Sequence, residues 1–269
     1  MLKDVTLGQY FPGDTIIHRL DPRTKIILVF LYIVALFQAK SFVSYGLLLL
    51  FLLRAVHLSR VGAKALLRGM KPVVVILVFT GLLNLLYGTT GTVLFHWGFL
   101  TITTGGVKTA FFMIVRILML ISGTFLLTYT TSPILLTDGL ENLMNPLKKL
   151  HVPVHELSMM MSIALRFIPT LIEETDKIMS AQKARGADFD SGNLLDKARA
   201  LVPLLVPLFV SAFRRADELA TAMECRCYHG GEGRTRLRKL RYAGADRVAI
   251  VMGIAMLAAV CVLSYGFAL

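Results

Sequence analysis

Residues 107–129 read VKTAFFMIVRILMLISGTFLLTY, a run long enough to cross a bilayer as one helix, with an arginine, Arg116, near its centre. A spanning helix needs about 20 mostly apolar residues, and this stretch supplies them without a helix breaker. An arginine at that depth is costly in lipid, so Arg116 is expected to face protein, a headgroup or a polar cavity.

Working outward, comparable apolar runs flank it. Ile26–Ala39 and Phe42–Leu53 are separated by Lys40 and Ser41 and read as an antiparallel hairpin, although one long bent helix has the same composition. Val73–Tyr87 and Val248–Phe267 complete the set. The 269 residues are 55% hydrophobic, with a mean hydropathy of +0.67, too apolar for a soluble domain of this size. The expected fold is all-α and polytopic, with about five transmembrane helices. The segments are 1–130 (a membrane domain of about four spans), 131–247 (a helical domain on the cytoplasmic face) and 248–269 (a last span).

Charge assigns the sides. The net charge is +12. Arg54, Arg60, Lys64, Arg68 and Lys71 follow the second apolar run, whereas Gly88–Gly106 has no Lys or Arg. Residues 130–247 are again rich in both. The positive-inside rule then puts the N-terminus inside and, with five spans, the C-terminus outside. A basic surplus also suits nucleic acid, but that would not require long apolar runs, so no nucleic-acid partner is expected. No cleavable signal peptide is visible at the N-terminus. Three cysteines, Cys225, Cys227 and Cys261, cannot build a disulfide framework.

The basic segment contains a repeat. Asp176–Arg185 (DKIMSAQKAR) aligns with Asp217–Arg226 (DELATAMECR): an aspartate nine residues before an arginine, an alanine four before it. Each arginine precedes a predicted helix stop, Gly186 in the first case and Gly230-Gly231 in the second. A cation at a helix C-terminus is an ordinary cap, but two in one repeated context suggest equivalent contacts with a two-fold partner. Ala212, Ala216 and Ala220 form a small-residue stripe on which two helices can cross closely. Pro169, Pro203 and Pro207 are expected to kink or start helices.

Near the N-terminus, His18-Arg-Leu-Asp-Pro-Arg-Thr-Lys25 offers Asp21 as a cap with Pro22 at the first helical position. Arg23 and Lys25 are expected to anchor the cytoplasmic end of that span. This run, with Ala184-Arg185-Gly186 and Cys225-Arg226-Cys227, resembles the transmembrane component of energy-coupling-factor transporters, and the resemblance extends along essentially the whole chain. It implies a membrane scaffold of an ATP-binding-cassette importer of the prokaryotic cytoplasmic membrane, for vitamins or transition metals. On that resemblance each tip arginine docks one of two cytoplasmic ATPases, which hold the ATP and Mg. The helices behind the tips carry one membrane substrate-binding subunit. Cysteines around Arg226 depart from the small residues usual there.

Other signals carry less. Cys225-x-Cys227-x-His229 puts three soft ligands within five residues with no second cluster, so no metal is expected. Met159, Met160 and Met161, with Leu157 and Leu165, read as core packing or as an adaptable surface for the substrate-binding subunit. Glu173-Glu174 brings to mind a membrane protease, but Ile178 stands where that motif needs arginine; the pair reads as a solvated face. No phosphate-cradling loop occurs, so ATP hydrolysis belongs to a partner and this chain is not an enzyme. A self-contained secondary transporter is the alternative, with only Arg116, Asn84 and a few hydroxyls as intramembrane polar groups.

Overall fold

The computed structural model describes residues 10–87, 92–97, 100–187, 189, 193–230 and 240–266. Gly231 and Phe267, named above as part of a helix stop and the end of a span, lie outside them. The chain is all-α apart from one short hairpin. Its elements are α1 (Ile16–Arg19), α2 (Pro22–Gln38), α3 (Phe42–Ser59), α4 (Ala63–Tyr87), β1 (Val93–Trp97), β2 (Leu100–Thr103) and α5 (Thr104–Thr130). There follow α6 (Pro133–Met144), a 3-10 turn (Asn145–Leu150), α7 (Val154–Ala184), α8 (Leu194–Cys225) and α9 (Gly244–Gly266). The antiparallel β1–β2 pair stands in the stretch that lacks Lys and Arg.

The chain divides into two compact units, residues 8–140 with 240–269, and residues 141–239. The last helix belongs to the same unit as the N-terminal membrane helices. Among the described residues, four helices are long and apolar enough to cross a membrane: Phe42–Ser59, Lys64–Leu85, Thr104–Thr130 and Gly244–Tyr265. Helix α2 is shorter, at 17 residues, about 26 Å.

Pairing shows that α2 nevertheless runs the length of the bundle. Lys25 Nζ donates to the Thr130 carbonyl, Tyr32 packs against Gly123, and Arg116 donates to the Ala39 carbonyl. Each seven-residue step up α2 matches seven residues down α5, so the two are antiparallel over two full heptads. Asp21, Leu28 and Lys40 meet Asp246, Gly253 and Tyr265, always 225 residues apart, so α2 and α9 are parallel. Tyr32 stacks on Phe51, and Ser44 meets Ser264, which makes α2–α3 an antiparallel hairpin broken at Ala39–Ser41. Gly69 lies against Phe125 and Gly81 against Ile114, so α4 and α5 are antiparallel too.

The core joins α2, α3, α5 and α9 through Tyr32, Ala35, Leu36, Leu48, Met119 and Val260. Gly123 is required there: a Cβ would lie 2.9 Å from the Tyr32 ring. Outward-facing residues stay apolar, with Val75 at 74% and Val262 at 71% exposure, the pattern of helices solvated by lipid.

Several expectations need correction. The basic residues after the second apolar run do not form a loop. Helix α3 continues to Ser59 and α4 begins at Ala63, so Arg54, Lys64, Arg68 and Lys71 extend helices and Arg60 alone takes the turn, at φ 53°. Long basic side chains carry a helix out of the apolar layer without ending it. Of the two roles expected for Pro169, Pro203 and Pro207, starting a helix is excluded: all three lie inside helices, as does Pro72.

Candidate functional site: two arginine-capped helix ends

The unit formed by residues 141–239 holds the two longest helices, α7 with 31 residues and α8 with 32. Their ends are built alike. In the first, the Gly186 N–H donates to the Lys183 carbonyl and the Ala187 N–H to Gln182. In the second, the Cys227 N–H donates to Glu224 and the Tyr228 N–H to Met223. Both are Schellman closures, with Arg185 and Arg226 as the capping residues. Every participant in one end lies 41 residues from its counterpart in the other.

The second stop falls at Cys227, not at the Gly230-Gly231 pair that sequence suggested. Cys227 adopts φ 54° where Gly186 has φ 88°. A side chain in this left-handed region costs about 1 kcal/mol, because Cβ crowds the following carbonyl. Cys227→Gly is therefore expected to stabilise the helix end by about 1 kcal/mol, and Gly186→Ala, which meets no neighbour within 4 Å, to destabilise it similarly. Hydrogen exchange at the amides of residues 226–228 and 185–187 reads both changes.

Arg185, Arg226, Ala184, Gly186, Cys225 and Cys227 are all exposed. Among the described residues neither guanidinium has an ion-pair partner. The thiols are free, and no cluster of three or more metal-ligating side chains occurs among the described residues.

Behind the tips the helices cross. Ala212, Ala216 and Ala220 line one groove with Ile163, Phe167 and Leu171, so the small-residue stripe faces α7. Glu174, read from sequence as part of a solvated face, instead accepts hydrogen bonds from Ser211 Oγ and from Arg215 Nη2, the latter at 2.7 Å. Sequence missed this pairing because Arg215 lies 41 residues away; the repeat, extended one turn upstream, would have exposed it.

On α7, Leu157, Met160 and Met161 are exposed, while Met159 and Leu165 are half-buried. Met160 and Met161 thus lie at the surface, and Met159 at its edge. Helix α8 adds Leu201, Val202, Leu205, Val206, Phe209 and Phe213, an exposed apolar stripe more than three turns long.

In the membrane unit, Asp21 caps α2 with Oδ1 on the Arg23 N–H, and the Arg23 guanidinium returns a fork to both Asp21 oxygens at 3.0 and 2.8 Å. Burial pushes the Asp21 carboxyl up, but the hydrogen bonds and charge of Arg23 hold it below the usual carboxylate range. Such a group contributes stability that is complete above the unfolded value of about 3.9 and is lost as pH falls through the folded value. Arg23 also lies 4.1 Å over the Tyr242 ring. His18 bridges Thr15 Oγ1 and the Phe11 carbonyl.

Lys25, expected to anchor the end of the α2 span, does so from inside the bundle. It is buried, and its ammonium donates to the carbonyls of His18 and Thr130 and to Thr131 Oγ1. It ties α2 to the C-terminus of α5 instead of reaching outward. Asp246, not recognised from sequence, accepts from the Asp21 and Ala243 N–H groups at 2.8 and 2.7 Å and is 1% exposed. Arg116 faces protein: it donates to Tyr45 Oη and to the Ala39 carbonyl at the end of α2.

These features define a class: an all-α polytopic membrane protein that presents two matched, arginine-capped helix ends. The family profile described as cobalt transport protein (CbiQ) matches residues 13–237. The energy-coupling factor transporter transmembrane protein EcfT of Ruminiclostridium cellulolyticum is 51% identical over 99% of this chain and 100% of its own length. Those of Bacillus subtilis and Lactococcus lactis are 52% and 45% identical, over 96% and 95% of this chain and 97% and 96% of theirs. The chain belongs to this family, the transmembrane components of energy-coupling-factor transporters of prokaryotic membranes.

Proposed function

We propose that this chain is the coupling subunit of an importer, carrying ATPase motion to a separate substrate-binding membrane subunit. The observation that carries the reading is the matched pair of exposed arginines, without an ion-pair partner among the described residues, on helix closures of the same hydrogen-bond pattern. Two equivalent cationic pins suit two equivalent receivers, here two cytoplasmic ATP-binding-cassette subunits that bind ATP and Mg. A guanidinium fork binds carboxylates in two places and keeps its charge, as a contact under load requires.

The exposed faces of α7 (Leu157, Met160, Met161) and α8 are the proposed seat of one substrate-binding subunit. Methionines re-pack readily and suit a surface that accepts more than one partner. The cargo is a vitamin or a transition metal, selected by that subunit. Basic residues gather where α2, α4 and α9 begin and α3 and α5 end, so this end faces the cytoplasm, with the N-terminus inside and the C-terminus outside.

The secondary-transporter reading has little to build on. Arg116 is engaged with Tyr45 and Ala39, and Asn84 Nδ2 donates to Thr80 of its own helix. The test is affinity purification of the tagged chain from its native membrane, followed by reconstitution. Two ATPases and a substrate-binding subunit should co-elute, and uptake should need all of them. Solute movement by the chain alone in liposomes would support a self-contained transporter.

A further inference from the structure

The Glu174–Arg215 pair occupies equivalent places in the repeat. Each residue precedes its tip arginine by eleven positions, about 16 Å of helix. The 41-residue offset that relates the two helix closures thus also relates the two partners of one ion pair. Their side chains are 21% and 34% exposed, and Ser211 Oγ completes the node on the second carboxylate oxygen. Beside the node the helices part around a groove of about 270 Å³, lined by Phe167, Leu171, Ala212, Ala216, Leu219 and Met223.

We propose that Glu174 and Arg215, with Ser211, are the fulcrum about which α7 and α8 turn against each other. They are positioning residues that set the crossing and touch neither ATPase nor cargo. Three observations converge. The node lies at equal distance from both tips, so a change in crossing angle displaces Arg185 and Arg226 equally, as a two-fold pair of receivers demands. The groove supplies the room: alanines opposite Phe167 and Leu171 let the helices close without collision. The polar fork supplies the register, because sliding one helix by a turn would separate donor from acceptor by about 5.4 Å. An apolar contact at this point would resist sliding less, since hydrophobic burial is non-directional.

The proposal rests on the coupling reading above, but one arm of its test does not. Spin labels at Ala181→Cys and Ala222→Cys, both exposed and equivalent in the repeat, report the tip-to-tip distance in the assembled complex once the three native cysteines are serine. Glu174→Gln and Arg215→Met should each broaden that distance distribution. Each should also lower transport per ATP hydrolysed by about tenfold, the effect of one charge-assisted hydrogen bond lost. ATPase co-purification should be unchanged. The exchanged pair, Glu174→Arg with Arg215→Glu, should recover a narrow distribution and most of the coupling ratio. Ser211→Ala, which cannot compromise folding through an orphaned charge, should broaden the distribution to a lesser degree. Narrow distributions in both single variants would overturn the fulcrum, whatever the uptake. Broad distributions in a complex whose unsubstituted form transports nothing would support the fulcrum and count against the importer reading alone.

Discussion

Replacing Arg185 and Arg226 together by alanine is expected to abolish ATP-driven uptake, lowering its rate more than about a hundredfold, while the chain stays folded. Both side chains are exposed and form no ion pair among the described residues, so their removal costs the isolated chain no more than about 0.5 kcal/mol. Their helix closures are made by backbone groups alone, which alanine leaves intact. At an interface the balance reverses, because an arginine that fills a receiving pocket typically contributes about 2 kcal/mol or more. Two such losses multiply. Each single variant should retain partial uptake, with one ATPase still docked. Lysine at either position should rescue poorly, since a point charge cannot reproduce the fork. Uptake into proteoliposomes, set beside a melting curve of the same preparation, separates lost docking from lost fold.

The second large effect is on stability. Asp246→Ala is expected to destabilise the membrane unit by about 3 kcal/mol, because it strips the buried Asp21 N–H and the partly buried Ala243 N–H of a charged acceptor. The same change loosens the cap residue that organises α2, and with it the Arg23 fork. For a chain of this size that corresponds to a fall in Tm of roughly 6–12 °C. Asp246→Asn keeps an oxygen for one of the two donors and should lose about half as much. Thermal unfolding in detergent, followed by tryptophan-independent circular dichroism, measures both. Equal, negligible shifts for the two variants would mean that α9 is held by its apolar face alone.

The contrast between these residues explains what sequence could and could not reveal. The membrane spans were legible because lipid imposes a one-dimensional constraint: a helix must stay apolar for its whole length. Where that constraint ends, the reading failed. Nothing in composition marks the point at which Arg54 to Lys71 stop being lipid-facing helix and become water-facing helix. The closures at Gly186 and Cys227 show the same limit locally. Glycine announced the first, but cysteine holds the second in a conformation that its residue type disfavours, so the next glycines drew the stop three residues too late. Lys25, Asp246 and Glu174 were hidden for a further reason. Their partners lie 105, 225 and 41 residues away, and only tertiary packing brings them together. The arginine tips were visible because a repeat writes tertiary symmetry into the sequence itself, and the alanine stripe because small residues recur there at every fourth position.

On the proposed function, each of the two arginine-capped ends receives an ATPase. A photo-crosslinking residue at Ala184 or at Cys225, one turn-end before each arginine, tests it in the assembled complex in native membranes. Each position, separately, is expected to form an adduct with an ATP-binding-cassette subunit, and the adduct to be lost when the neighbouring arginine is alanine. Adducts to the substrate-binding subunit or to lipid at either position, with none to an ATPase, would contradict it.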